Sequence, residues 1–101
     1  MSESYLKMDT IMRNMFVAAL HQVLTTSLEQ SEDLEGLQLL QKKIRSFQGK
    51  RLPITGEEQT QIYHALIMLR NCYLEAGRYS DGIDSVLMKV MKPKKSKHFI
   101  W

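Results

Sequence analysis

Residues 52–77 constrain the fold more tightly than any other stretch of this 101-residue chain. Pro53 has no amide to donate and disfavours a helical Leu52, so no helix runs through that point. Directly after it stands Thr55-Gly56-Glu57-Glu58, the spacing of a capping box. In such a box the Thr55 hydroxyl accepts from the Glu58 amide, and the Glu58 carboxylate accepts from the Thr55 amide. The helix opened there carries Ile62, Leu66, Leu69, Tyr73 and Ala76 on one side. Tyr63, Ile67, Cys72 and Leu74 widen the stripe to more than half the circumference. A helix so apolar belongs at the centre of a core, and Gly77 ends it.

Three further segments read as helices around it. From Tyr5 to Leu28, apolar residues recur in steps of three and four: Met8, Met12, Met15, Phe16, Ala19, Leu20, Val23 and Leu28. A second helix starts at Ser31, a good N-cap, with Glu32 and Asp33 favouring the positive end of the dipole. Its face is Leu34, Leu37, Leu40, Ile44 and Phe47, and Gly49 is placed for a C-terminal cap. The last starts near Ser80, carries Ile83, Val86, Leu87, Val90 and Met91, and is closed by Pro93. No segment alternates apolar and polar residues between turn signals, so no strand is expected. The expected class is all-α: a compact antiparallel bundle of about four helices, near 5–28, 31–48, 56–76 and 80–91. Residues 1–92 form the single domain, and residues 93–101 form a flexible basic and aromatic tail.

Length and composition agree with one folded domain. At this size a single core buries roughly two thirds of the unfolded surface, and 44% of the residues are hydrophobic. Cys72 stands alone, which removes any intramolecular disulfide and points to a reducing compartment. The N-terminal residues lack the basic-then-apolar order of a signal peptide. No apolar run approaches the ~20 residues of a membrane span. A soluble, cytoplasmic protein is therefore expected. Of the net charge of +3, residues 1–77 contribute eight Lys/Arg against nine Asp/Glu, while residues 78–101 contribute six against two. Basicity on this count belongs to the C-terminal end rather than to the fold. Seven methionines suit irregular cores and surfaces that adapt to a partner.

Residues for chemistry are scattered. His21, His64 and His98 lie in different segments, and none stands three or four positions from a Cys or another His, so helical metal-ligand spacing is missing. His64, beside the apolar stripe, reads as a partly buried structural residue, and Cys72 as a small hydrophobe rather than a nucleophile. Glu57 and Glu58 are explained by the helix start. The five glycines form no phosphate-cradling pattern. The sequence implies no enzyme, no cofactor, no metal and no small-molecule substrate.

Leu66, Leu69, Tyr73, Gly77, Tyr79 and Pro93 fall at or within one residue of the signature places of one helical repeat. On them, residues 62–93 resemble a single tetratricopeptide-type hairpin, which implies a left-handed turn at Gly77 with Tyr73 and Tyr79 packed across it. Arg70, Gly82 and Lys89 depart from that pattern where small residues are usual. In size, helix count and basic tail the chain is also similar to the small four-helix bacteriocin-immunity proteins, which implies a role in self-protection carried by the C-terminal part.

The leading expectation is a helical module that binds another protein, or a second copy of itself, as adaptor, small chaperone or regulator. Apolar faces in excess of what one small bundle can cover are the motive. Met88, Met91, Phe99 and Trp101 are the candidate contacts, with Lys94, Lys95 and Lys97 beside them. The alternative is nucleic-acid binding through the tail together with Lys42, Lys43, Arg45, Lys50 and Arg51, with Phe99 or Trp101 stacking on bases. Against a helix-turn-helix, the final helix opens with Asp81 and Asp84, which the phosphates would repel. Contact of the tail with an anionic membrane is a third and auxiliary expectation.

Overall fold

The computed structural model describes residues 4–26, 34–92 and 94–95. Most of them are helical: α1 is Thr10–Thr26, α2 Leu34–Ser46, α3 Gly56–Glu75 and α4 Asp81–Met91. The four expected helices are present, but the class is not purely helical. Three short strands, β1 (Ser4–Lys7), β2 (Arg51–Ile54) and β3 (Lys94–Lys95), form an antiparallel sheet in the order β2-β1-β3. None of the described helices is long and apolar enough to cross a membrane.

The sheet replaces the expected start of the first helix at Tyr5. Helix α1 begins only at Thr10, because Asp9 caps it: the Met12 amide donates to Asp9 Oδ1 at 2.8 Å. Upstream of that cap, Leu6 and Met8 are buried while Lys7 is exposed, which is the period of a strand with one wet face. Strand β2 shows the same alternation, with Leu52 and Ile54 buried and Arg51 and Pro53 exposed. Pro53 is admissible because β2 lies at the edge of the sheet, where its missing donor breaks no interior ladder.

Helix α1 packs against α2 and α3, while α4 and β2 also meet α3. Phe16 and Leu20 of α1, Ile44 of α2, Leu52 of β2, Ile62 and Leu66 of α3 and Val90 of α4 are all but fully buried. Each such side chain contributes about 1.5–3 kcal/mol from apolar burial. Side-chain amides stitch the helices: Gln41 Nε2 donates to the Val17 carbonyl (3.1 Å), and Gln59 Nε2 to that of Val90 (2.9 Å).

The capping box at Thr55 and Glu58 forms as its spacing implies, with both bonds at 3.0 Å. Glu58 Oε1 also accepts from Lys43 Nζ at 2.9 Å, which ties the start of α3 to the end of α2. At the other end Gly77 has φ +75, the left-handed turn expected there. The Gly77 amide donates to the Leu74 carbonyl and the Arg78 amide to that of Tyr73, a Schellman motif. Tyr79 does not pack across this turn. It is 91% exposed, and the Arg78 guanidinium instead lies 4.4 Å from the centre of the Tyr73 ring.

Other expectations need correction. Helix α2 ends at Ser46, and Gly49 is no left-handed cap, since among the described residues only Gly77 is a glycine of positive φ. Space is what Gly49 provides: a Cβ there would stand 3.0 Å from Phe47 Cζ. His64, expected to be partly buried beside the apolar stripe, is exposed, as is Ala76, expected on the stripe itself. The second helix was expected from Ser31, and that start lies outside the described residues. Arg70, where a helical repeat would carry a small residue, reaches across to α4 and pairs with Asp84 at 2.6 Å.

Candidate functional site

Strand β1 and the turn after it bring together residues that are far apart in the chain. The Met8 amide donates to the Lys50 carbonyl at 2.8 Å, extending the β1–β2 pairing beyond the strand and fixing Lys50 and Arg51 beside it. Asp9 then turns the chain into α1, so Met12 lies one turn inside that helix. The last turns of α4 contribute Met88, Lys89 and Lys92. Between these elements runs a groove of about 770 Å³.

Three methionines line it. Met8 and Met12 are buried in the floor beside Leu6, whereas Met88 is 68% exposed on the α4 wall. Around it stand Lys7, Lys50, Arg51, Lys89 and Lys92, all exposed. Asp9, the acid that lines the groove, is occupied as the cap of α1. Five basic groups less that one acid leave a net +4, more than the +3 of the entire chain. Two of these cations, Lys89 and Lys92, belong to the basic C-terminal end, and the fold sets Lys7, Lys50 and Arg51 beside them.

Among the described residues these charges have no acidic partner: the ion pairs there are Lys43–Glu58 and Arg70–Asp84, and no groove cation takes part in either. Arg51 lies over the Tyr5 ring, 5.4 Å from its centre, and Tyr5 is the aromatic side chain among the described residues that line the groove. Lys7 and Arg51 are direct cross-strand partners. Like charges in that arrangement lower stability.

Of the residues singled out from sequence, Met88 lines the groove, and Met91 stands 55% exposed one turn further along α4. Lys94 and Lys95 form β3 and pair with Tyr5 and Ser4. Lys97, Phe99 and Trp101 lie outside the described residues, as does His98. The basic residues considered for nucleic acid are divided: Lys50 and Arg51 are in the groove, while Lys43 is held by Glu58. Arg45 lines a smaller cleft of about 420 Å³ between α1 and α2, with Arg13, His21 and Gln41. Arg13 and Gln41 there bond main-chain carbonyls of Phe47 and Val17, a structural use. Sequence reasoning missed Met8, Met12, Lys7, Lys89 and Lys92 as site residues. The signal was the alternation Tyr5-Leu6-Lys7-Met8, too short to stand out beside a helical reading.

Among the described residues no three His, Cys, Asp or Glu side chains group to hold a metal ion. His21 and His64 are exposed on α1 and α3, and Cys72 is half-buried. What the groove offers chemically is charge and adaptable apolar surface. In comparisons with protein-family models, curated proteins and solved structures, nothing matches this chain.

Proposed function

We propose that this protein is a non-enzymatic interaction module that docks another protein in the groove between β1, the start of β2 and the end of α4. A single observation carries the reading: exposed Met88 and buried Met8 and Met12 share one concavity with five cations that have no ion-pair partner among the described residues. Exposed apolar surface rimmed by charge is the usual composition of a binding patch, and methionine repacks around varied partners. A second copy is a poor occupant, because two such grooves face to face would bring net positive charge against net positive charge. A reducing compartment such as the cytoplasm suits the free thiol of Cys72. The role that follows is that of an adaptor or regulator.

A photo-reactive residue placed at Met91, exposed at the end of α4 one turn beyond groove-lining Met88, and another at exposed Tyr79, just before the other end of that helix, test the reading in the native host. Capture of one protein at position 91 and not at 79, reproduced with the purified pair, is the expected result. No captured protein, or equal capture at both positions, overturns it.

A further inference from the structure

Resting on that reading, we infer that the segment docked in the groove is an acidic amphipathic helix: an apolar stripe laid on Met8, Met12 and Met88, with carboxylates on both flanks. The placement of charge carries the inference. Lys50 and Arg51 come from the turn before β2 and its first residue, Lys89, Lys92 and Met88 from α4, and Met8 and Met12 from the β1–α1 turn and the first turn of α1. A ligand that meets cations from two separate elements and apolar methionine together carries an apolar stripe with acids beside it, as an acidic amphipathic helix does. Thioether floors accept such helices in more than one register, because Met has three freely rotating bonds and a polarisable sulfur.

Nucleic acid fits the same cations less well. Single strands bind by stacking bases on exposed rings, and among the described lining residues the ring is Tyr5, which already lies under the Arg51 guanidinium. Phosphates would also leave Met88, 68% exposed, without apolar cover. An anionic membrane presents a broad face to a protein, whereas these methionines line a concavity. The Lys7–Arg51 juxtaposition adds a second line of support: a carboxylate set between two like charges relieves their repulsion on binding, so the unbound state is the strained one.

The test uses the purified full chain and a labelled synthetic peptide of about 18 residues, or five helical turns. It carries Leu at helical spacing and Glu on both flanks. The comparison ligands are its Gln-for-Glu analogue, a shuffled peptide of equal composition, a single-stranded oligonucleotide and anionic phospholipid vesicles. Binding with a Kd on the order of 10 μM is expected, weaker by about tenfold for the Gln and shuffled peptides and falling with added salt. The double variant Lys50→Glu, Lys92→Glu changes two exposed side chains, and its fold is checked by circular dichroism. It should lose about tenfold for the acidic peptide and gain for a peptide with Lys in place of Glu. Equal affinity for the Gln or shuffled peptide, tighter binding of oligonucleotide or vesicles, or an unaffected double variant each overturns the assignment. A partner captured at Met91 whose contact segment lacks acids overturns it too, while leaving the docking role standing. Selective binding of the acidic peptide without any captured partner supports the groove chemistry and removes the docking role instead.

Discussion

Lys7 and Arg51 face each other across the β1–β2 ladder, two positive side chains at directly opposed positions of a small sheet. Cross-strand pairs are the unit of sheet stabilisation, and this one works against folding. Lys7→Glu converts the repulsion into an attraction. The variant should be more stable by about 0.5–1 kcal/mol, read as a urea midpoint raised by a few tenths molar. It should also bind the acidic peptide less tightly. A variant that is more stable and binds equally well would show that Lys7 has no part in docking.

Gly77 and Gly82 should respond oppositely to alanine. At Gly77, φ is +75, a region in which a Cβ costs about 1–2 kcal/mol even though no neighbour crowds it. At Gly82, inside the first turn of α4, no atom lies within 4 Å of a new Cβ and φ is not positive. Gly82→Ala should therefore stabilise by about 0.5 kcal/mol through helix propensity and a less disordered unfolded chain. Thermal midpoints of the two variants should move in opposite directions.

The Arg70–Asp84 pair joins α3 to α4 at 2.6 Å, yet both side chains remain substantially exposed, at 38% and 43%. Solvent screening holds such a pair to a coupling of about 0.5 kcal/mol. A double-mutant cycle with Arg70→Ala and Asp84→Ala should return that value. Asp84→Ala should be the costlier single change, because Asp84 Oδ2 also accepts from the hydroxyl of buried Ser80. A coupling of several kcal/mol would mean that the pair is sealed from water.

Phe16 and Ile11 lie on the same helix, one fully buried and the other 71% exposed. Phe16→Ala should cost about 3–5 kcal/mol, a large share of the roughly 5–15 kcal/mol that such a domain possesses. Ile11→Ala should stay within about 0.5 kcal/mol. Equilibrium denaturation of both variants measures the contrast, and similar losses would place Ile11 in the core.

Features that depend on neighbours along the chain were legible in the sequence, and those that depend on distant partners were not. The capping box at Thr55 and Glu58 and the turn at Gly77 lie within a few residues of the groups they satisfy. The apolar steps of three and four from Met8 onward located α1, but they concealed its beginning. Asp9 reads as an ordinary polar residue until its carboxylate is seen taking the Met12 amide. Strand β1 is four residues long, and its hydrogen-bonding partners are Arg51–Ile54 and Lys94–Lys95. Neither segment announces a partner so distant, and an alternation only four residues long does not stand out beside a helical reading. Gly49 followed a basic helix end, as a capping glycine does, but its reason is the Phe47 ring seated on it. The groove was hidden by the same distances: Lys7, Lys50 and Lys92 become neighbours only through the sheet and α4. Counting charge by chain halves assigned them to unrelated regions.

Strand β1 holds β2 on one side and β3 on the other, so the early, middle and late parts of the polypeptide meet at one place. Contacts between such remote segments carry the largest loop-closure penalty and form after local helices. Met88 and Lys92 meet Met8 and Lys50 only once that closure is complete. A copy in which β1 has not closed on β2 and β3 has no groove to present, so on the proposed docking role a partner would recognise the native state alone.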